Sequence, residues 1–200
     1  EVRLVICNNR SAEVFKRVDA LNKKYDVDIK CIYVSSKNFP PEPNEKVLRG
    51  QQSIAEQREI LRLLSTHAID FIALLGYMKL VGSTIVDKYG LSGTNRSPFT
   101  THIVNTHPGI LPATKGLYGI HVQEFVIKNK AAAGHCIFAV DAEYDGGPVI
   151  AEHLVELLPD DTPESLFNRV KASERNTIAM DINEFFIMKK ALTDGGLHEQ

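Results

Sequence analysis

The run Ile69-Asp70-Phe71-Ile72-Ala73-Leu74-Leu75, closed by Gly76 and followed by Tyr77-Met78-Lys79-Leu80-Val81, decides the architecture. Short and apolar, it reads as a strand set between two helical patterns. On its amino side, residues 51–67 carry Ile54, Ile60, Leu61 and Leu64 at helical spacing, and on its carboxyl side residues 81–89 read as a short helix. Working outward, residues 2–7 and 29–35 are further strands. Between them residues 11–24 form a helix with Val14, Phe15, Val18 and Leu21 on one face. Residues 37–44, with three prolines, are a loop, and residues 103–105 end a fourth strand. Strands alternating with helices imply a parallel sheet covered on both faces. In such sheets ligands gather beyond the carboxyl ends of strands. Three segments rich in chemical groups follow strand ends here: residues 8–11, 76–81 and 105–108.

The pattern changes after Tyr118. Residues 118–130 read as a helix, and residues 134–140 and 149–157 as two strands of an antiparallel portion, joined by residues 141–148. Thr162-Pro163-Glu164 is a helix start, with a hydroxyl cap, proline at the first position and an acid in the first turn. That helix is expected to run beyond Met180, with a frayed tail from Asp194. Residues 91–100, rich in Ser, Thr, Gly and Pro, are a connector that could serve as a lid. One α/β domain is expected, and no internal repeat is visible.

With 200 residues, 44% of them apolar and 24% charged, the chain can bury a substantial core. A net charge of -2 leaves no footprint for a polyanion, so no nucleic acid partner is expected. No apolar run is long enough to span a bilayer and the first residues do not read as a leader, which predicts a cytoplasmic protein without a membrane partner. The three cysteines, Cys7, Cys31 and Cys136, match no metal spacing and are read as reduced thiols. No metal is expected. Asn9-Arg10-Ser11 and Asn95-Arg96-Ser97 fit a glycosylation pattern that carries no meaning in a cytoplasmic protein.

The chemistry concentrates in Asn105-Thr106-His107-Pro108-Gly109 and Asp145-Gly146-Gly147-Pro148-Val149-Ile150. An amide, an imidazole and a carboxylate are the set needed to move an acyl group onto an amine. The imidazole exchanges a proton near neutral pH, the amide donates to a developing oxyanion, and the carboxylate orients and charges the imidazole. Plainer readings exist. His107 alone fits a polar exit turn, and Asp-Gly between two strands is a common hairpin turn. Glu174 alone is a solvated helical carboxylate, although Val170 and Glu174 share a helix face. Gly76 to Val81 can be a strand-to-helix junction with Tyr77 and Met78 as core filler. Asn8-Asn9-Arg10-Ser11 can be a charged surface turn.

Taken together, Asn-x-His-Pro-x-x-Leu-Pro, Asp-Gly-Gly-Pro-Val-Ile and Leu75-Gly76-Tyr77-Met78-Lys79-Leu80-Val81 resemble the signatures of the phosphoribosylglycinamide formyltransferase family. The resemblance is good over residues 70–180 and weaker over the first 65. It implies a Rossmann-like formyltransferase fold, mostly parallel, with helices on both faces and an antiparallel carboxyl-terminal portion. Residues 1–109 would be the Rossmann-like phosphate-binding half, and residues 110–200 the half with the folate-binding loop and the long helix. It also implies formyl transfer from 10-formyltetrahydrofolate, a co-substrate, to the amine of glycinamide ribonucleotide in purine synthesis. Asn105, His107 and Asp145 would be catalytic. Leu75, Gly76, Met78, Lys79, Leu80 and Val81, with Val140, Asp141, Ala142, Glu143 and Tyr144, would line the folate pocket. Asn9, Arg10, Ser11, Pro108 and Glu174 would meet the substrate. Small molecules are the expected partners, and the protein would be a monomer or a homodimer.

Two departures matter. Lys79 stands where the family commonly has Arg, and it lacks the planar fork, so the backbone is the expected contact there. After the first strand the family has a glycine-rich phosphate turn, whereas Asn8 to Ser11 contain no glycine. Ser11 can still cap the first helix and bond an oxyanion, and Arg10 could take the phosphate bidentately. His121 falls near a family histidine and is a weaker pocket candidate. The altered turn also brings forward formyltransferases acting on another amine, such as an amino-sugar nucleotide. A non-catalytic folate-binding relative belongs to a different class, and the intact Asn-His-Asp set counts against it. Formylation of methionyl-tRNA is disfavoured by the short chain and slightly acidic charge.

Overall fold

A computed structural model describes residues 1–91 and 97–195. The Asn95-Arg96-Ser97 pattern and the interior of the 91–100 connector therefore fall largely outside the described residues, as does the tail beyond Gly195. The chain divides into two compact units: Glu1–Ile72 with Met78–Lys88, and Ala73–Tyr77 with Tyr89–Gln200.

In the first unit, β1 (Leu4–Cys7) pairs in parallel with β2 (Lys30–Tyr33), Val5 opposite Cys31. Between them runs α1 (Val14–Tyr25), which ends where Asp26 turns left-handed at φ 51°. Ser11 does not cap this helix, although the sequence allows it. The helix begins later, at Val14, with Glu13 in the cap position and no side-chain cap bond. The Ser11 amide and hydroxyl both donate to Asn9 Oδ1 instead, at 3.1 and 2.8 Å. A short polar side chain offers the backbone such a local alternative to a helix start.

The helix expected over 51–67 is α2 (Ile54–Thr66), and Ser53 decides where it begins. Its hydroxyl accepts from the Glu56 amide at 3.0 Å while its own amide donates to Glu56 Oε2 at 2.9 Å, a reciprocal capping box. Ser53 and Glu56 are thereby buried, and Ile54, expected on the apolar face, is 44% exposed. The short α3 (Ser83–Tyr89) completes the unit, its Ile85 and Val86 buried.

The second unit holds a four-stranded sheet in the order β3-β4-β5-β6, β3 being Ile72–Leu74. Here β4 (Ile103–His107) pairs antiparallel with β5 (Gly134–Ala139), which pairs antiparallel with β6 (Val149–Leu154). β4 runs two residues past its expected end, because Thr106 and His107 still find partners in Ile137 and Cys136. Helix α4 (Ile120–Asn129) packs against α5 (Pro163–Gly195) through Val122, Val126, Leu166 and Val170, all fully buried. The expected start of α5 is present. Thr162 Oγ1 accepts from the Ser165 amide at 3.2 Å, and Ser165 Oγ accepts from the Thr162 amide at 3.0 Å.

α5 is pinned to the sheet by polar as well as apolar contacts. His135 on β5 and His153 on β6 lie opposite each other with stacked rings 4.9 Å apart. Their Nε2 atoms meet Ser173 Oγ at 2.9 Å and Asp181 Oδ1 at 2.8 Å. Among the described residues no helix is long and apolar enough to cross a membrane.

Candidate active site

β4 alternation places Asn105 and His107 on one face of the strand. His107 is the last residue before Pro108, which lacks the N–H needed to extend the ladder. The His107 side chain is 4% exposed and held from two sides. Nε2 lies 2.9 Å from Thr114 Oγ1. Nδ1 lies 3.8 Å from Asp145 Oδ2, within ionic reach and beyond direct hydrogen bonding. Burial pushes the imidazole pKa below its ordinary value, while the negative charge of Asp145 pulls it back up.

Asp145 reaches this place through the turn chemistry its sequence suggested. Its backbone is left-handed at φ 49°, the Asp141 carboxylate accepts from the Glu143 amide at 2.9 Å, and the Gly146 amide donates to Glu143 O at 3.2 Å. Gly147 has no substitute, since a Cβ there would sit 1.7 Å from the Ala139 carbonyl oxygen. Asp145 Oδ2 accepts from the Gly116 amide at 3.1 Å, which fixes the carboxylate from the other side. The hairpin reading of Asp145 holds, and the turn places its carboxylate within ionic reach of His107.

The other candidates of the second unit lie on neighbouring elements. Pro108 O accepts from Gln123 Nε2 at 2.6 Å, tying the strand end to α4. Glu174 on α5 reaches β4 through Thr106, whose side chain alternates with those of Asn105 and His107. Burial raises its carboxyl pKa, and the Thr106 hydrogen bond works against that rise. In the 140–144 loop Val140 and Asp141 are buried, Ala142 and Glu143 are exposed, and Tyr144 is 40% exposed. Lys115 reaches Glu143 Oε2 at 3.1 Å. Leu75 is 58% exposed and Gly76 adopts φ 66°, a conformation suited to glycine. Cys136 faces His107 across the ladder, but burial pushes its thiol pKa to about 12, so it is no nucleophile at neutral pH.

The remaining candidates belong to the first unit. Met78 is 52% exposed and Val81 is buried. Lys79 Nζ meets both Glu56 oxygens, at 2.6 and 2.8 Å, so its side chain is committed inside the unit. The Leu80 amide donates to Gly50 O at 2.7 Å and the Gly82 amide to Gln52 Oε1 at 2.7 Å. This segment is stapled to the start of α2. Asn9, Arg10 and Ser11 are exposed, with the Arg10 guanidinium 5.6 Å from the Tyr33 ring centroid. His121 is paired with Glu124 at 2.9 Å on the surface of α4.

Sequence reasoning missed Thr114, Gly116 and Gln123 as partners of the site. All three depend on how the chain turns after Pro108, and no motif spacing announces that. A shallow groove of about 320 Å³ lined by Ala131, Ala132, Ala133, Leu154, Val155, Glu156 and Leu157 holds none of the candidate catalytic groups. Among the described residues no group of three or more His, Cys, Asp or Glu is arranged to hold a metal ion.

A buried imidazole between a hydroxyl and a carboxylate, with an amide two residues away on the same strand face, is the equipment of an acyl-transfer site. Residues 1–182 match the family described as formyl transferase, and the chain belongs to that family. Over 171 residues it is 32% identical to the phosphoribosylglycinamide formyltransferase of Bacillus subtilis strain 168, covering 86% of this chain and 73% of that protein. Over 145 residues it is 34% identical to the chloroplastic phosphoribosylglycinamide formyltransferase of Arabidopsis thaliana, covering 71% of this chain but only 46% of that protein.

The structure is similar to that of phosphoribosylglycinamide formyltransferase from Bacillus halodurans, with a TM-score of 0.68, 32% identity, and coverage of 88% of this chain and 76% of that one. For the Streptococcus pneumoniae TIGR4 enzyme the TM-score is 0.68 at 28% identity, covering 92% and 87%. The fold is the Rossmann-like formyltransferase fold expected from the sequence, with its antiparallel portion in β4, β5 and β6.

Proposed function

We propose that this protein transfers the formyl group of 10-formyltetrahydrofolate to the primary amine of glycinamide ribonucleotide, a step of purine synthesis. The observation that carries the reading is the open pair of His107 and Asp145 beside Asn105. At 3.8 Å the carboxylate favours the charged ring against its burial without a direct hydrogen bond to Nδ1. The neutral amine attacks the formyl carbon, and the resulting oxyanion accepts from protonated His107 and from the Asn105 side-chain amide. Asp145 stabilises the ring when it is protonated and helps carry the amine proton, through water, to the departing folate nitrogen.

The backbone of residues 75–81 and the loop 140–144 would hold the folate. Pro108 and Glu174 would meet the amine substrate, and Asn9, Arg10 and Ser11 its phosphate. No metal enters this chemistry, and the compartment in keeping with it is the cytoplasm.

The turn at residues 8–11 favours a second reading with the same chemistry and a different acceptor. Its two consecutive asparagines and arginine replace the backbone cradle that glycines would form. Incubation with 10-formyltetrahydrofolate and a panel of amines, glycinamide ribonucleotide first and amino-sugar nucleotides after it, tests both. Turnover of the ribonucleotide with kcat/KM above every other amine is expected. Preference for another amine would replace the acceptor, and folate binding without transfer to any amine would overturn the enzymatic reading.

A further inference from the structure

We infer that Thr114 is a positioning residue that takes the Nε2 proton of His107 and so leaves Nδ1, beside Asp145, as the nitrogen that works on the reacting atoms. The inference rests on the formyl-transfer reading only for its kinetic arm.

The geometry is a short relay within the second unit. Thr114 Oγ1 lies 3.0 Å from the Ile110 carbonyl oxygen, to which it donates its single proton. The same oxygen lies 2.9 Å from His107 Nε2. A hydroxyl whose proton is committed to a carbonyl offers the ring only lone pairs. Nε2 must then carry hydrogen in the neutral ring as well as in the charged one. Nδ1 is bare in the neutral ring and gains its proton opposite Asp145.

This arrangement opposes the tautomer that Asp145 alone would favour. A carboxylate 3.8 Å from Nδ1 draws the ring proton to that side. With Thr114 accepting at Nε2, both nitrogens face acceptors, and the state that satisfies both is the imidazolium. Thr114 is wholly buried, so water does not replace its hydroxyl without rearrangement.

A second residue makes room for the relay. A Cβ built on Gly109 would fall 2.4 Å from Thr114 Oγ1 and 2.6 Å from Val122 Cγ1. Any side chain at 109 would therefore displace the hydroxyl or the α4 helix that supports it. Gly109 and Thr114 form a matched pair in this chain, and the family motif read from the sequence includes neither residue type.

The test compares Thr114→Val, which keeps the shape and removes the hydroxyl, with Thr114→Ser, which keeps the hydroxyl. The first readout is the tautomer of neutral His107, measured from imidazole ¹⁵N shifts with His107→Gln as the assignment control. Wild type and Thr114→Ser should hold the proton on Nε2, and Thr114→Val should move it toward Nδ1. The second is the pH profile of formyl transfer. Thr114→Val should lower kcat about 10-fold, the scale of one hydrogen bond to a charged group. KM values should stay put, and the high-pH fall in rate should begin at a lower pH, since the cation has lost an acceptor. Thr114→Ser should match wild type.

An Nδ1–H ring in wild type, or a Thr114→Val protein with unaltered tautomer and pH profile, overturns the inference. A lowered kcat without either change assigns Thr114 a packing role only and also overturns it. If Thr114→Val does not fold, Gly109→Ala, which displaces the hydroxyl, should produce the same tautomer shift, and failure to do so counts against the inference. If wild type transfers no formyl group, the tautomer measurement alone decides, and the proposed function fails separately.

Discussion

In the first unit the Glu56 carboxylate meets Lys79 Nζ at 2.6 and 2.8 Å and also accepts from the Ser53 amide. In the second unit the Asp145 carboxylate stops 3.8 Å short of His107 Nδ1 and takes its close hydrogen bond from the Gly116 amide. Both carboxylates are nearly wholly buried. The first pair is closed: each charge is neutralised by the other at direct hydrogen-bond distance. The second is open: Asp145 works against the burial that disfavours the cation, and no direct hydrogen bond ties it to Nδ1. The short distance fits a structural pair, and the longer one fits the catalytic role proposed for His107 and Asp145.

The largest expected effects test the open pair. His107→Ala, Asn105→Ala and Asp145→Asn should each lower kcat by about 10²–10³-fold, the typical cost of one lost oxyanion donor or its activator. Circular dichroism should stay near wild type, while the unfolding midpoint of His107→Ala should fall because its ring is buried. Near wild-type turnover in His107→Ala would remove the mechanism altogether.

The closed pair should respond in the opposite way. Glu56→Gln leaves Lys79 beside a neutral amide and weakens the capping box of α2. A loss of about 2–3 kcal/mol in urea unfolding is expected, at the lower end for a broken buried pair because Lys79 retains partial access to solvent. Substrate turnover per folded molecule should fall far less than in Asp145→Asn. Equal losses of kcat in the two variants, with no change in stability, would erase the distinction between the pairs.

Glu174 sharpens the comparison at smaller scale. It is half-buried and carries a raised carboxyl pKa, with the Thr106 hydroxyl and the Arg175 charge working against that rise. Glu174→Gln should raise KM for the amine about 10-fold and leave KM for the folate unchanged. A change confined to the folate would move Glu174 out of the amine site.

Much of this was legible from residues alone. Strand β3 and the helices around it follow from short apolar runs and helical spacing, and Thr162-Pro163-Glu164 marked the start of α5. Asn105, His107 and Asp145 stood out because their motifs are specific, and the structure brings His107 and Asp145 within ionic reach. What stayed hidden depended on competition between local bonds. Ser11 looked like a helix cap, but Asn9 Oδ1 took both of its donors. Ile54 fitted the apolar stripe of α2, but the Ser53–Glu56 box buried its polar neighbours instead. The partners of His107 on the 110–116 turn were invisible because a turn's path is set by packing against α4 and not by periodicity.

The smallest effect separates the polar anchor of α5 from both acid–base pairs. Burial lowers the pKa of His135, the nearby His153 lowers it further, and Asp181 opposes them. In the unfolded chain a histidine titrates near ~6.5. Above that pH both states are neutral and the folded form bears no penalty. As pH falls through about 6.5, the unfolded chain binds a proton that folded His135 declines, so stability drops with acidification until the folded pKa is passed. His107 shifts in the same direction, so wild type alone cannot isolate His135. Urea unfolding between about pH 8 and pH 5 should show a shallower acid loss in His135→Gln than in wild type, while His107→Ala removes a different part of the same slope. Identical slopes in His135→Gln and wild type would show that this ring takes up its proton without leaving its place against Ser173.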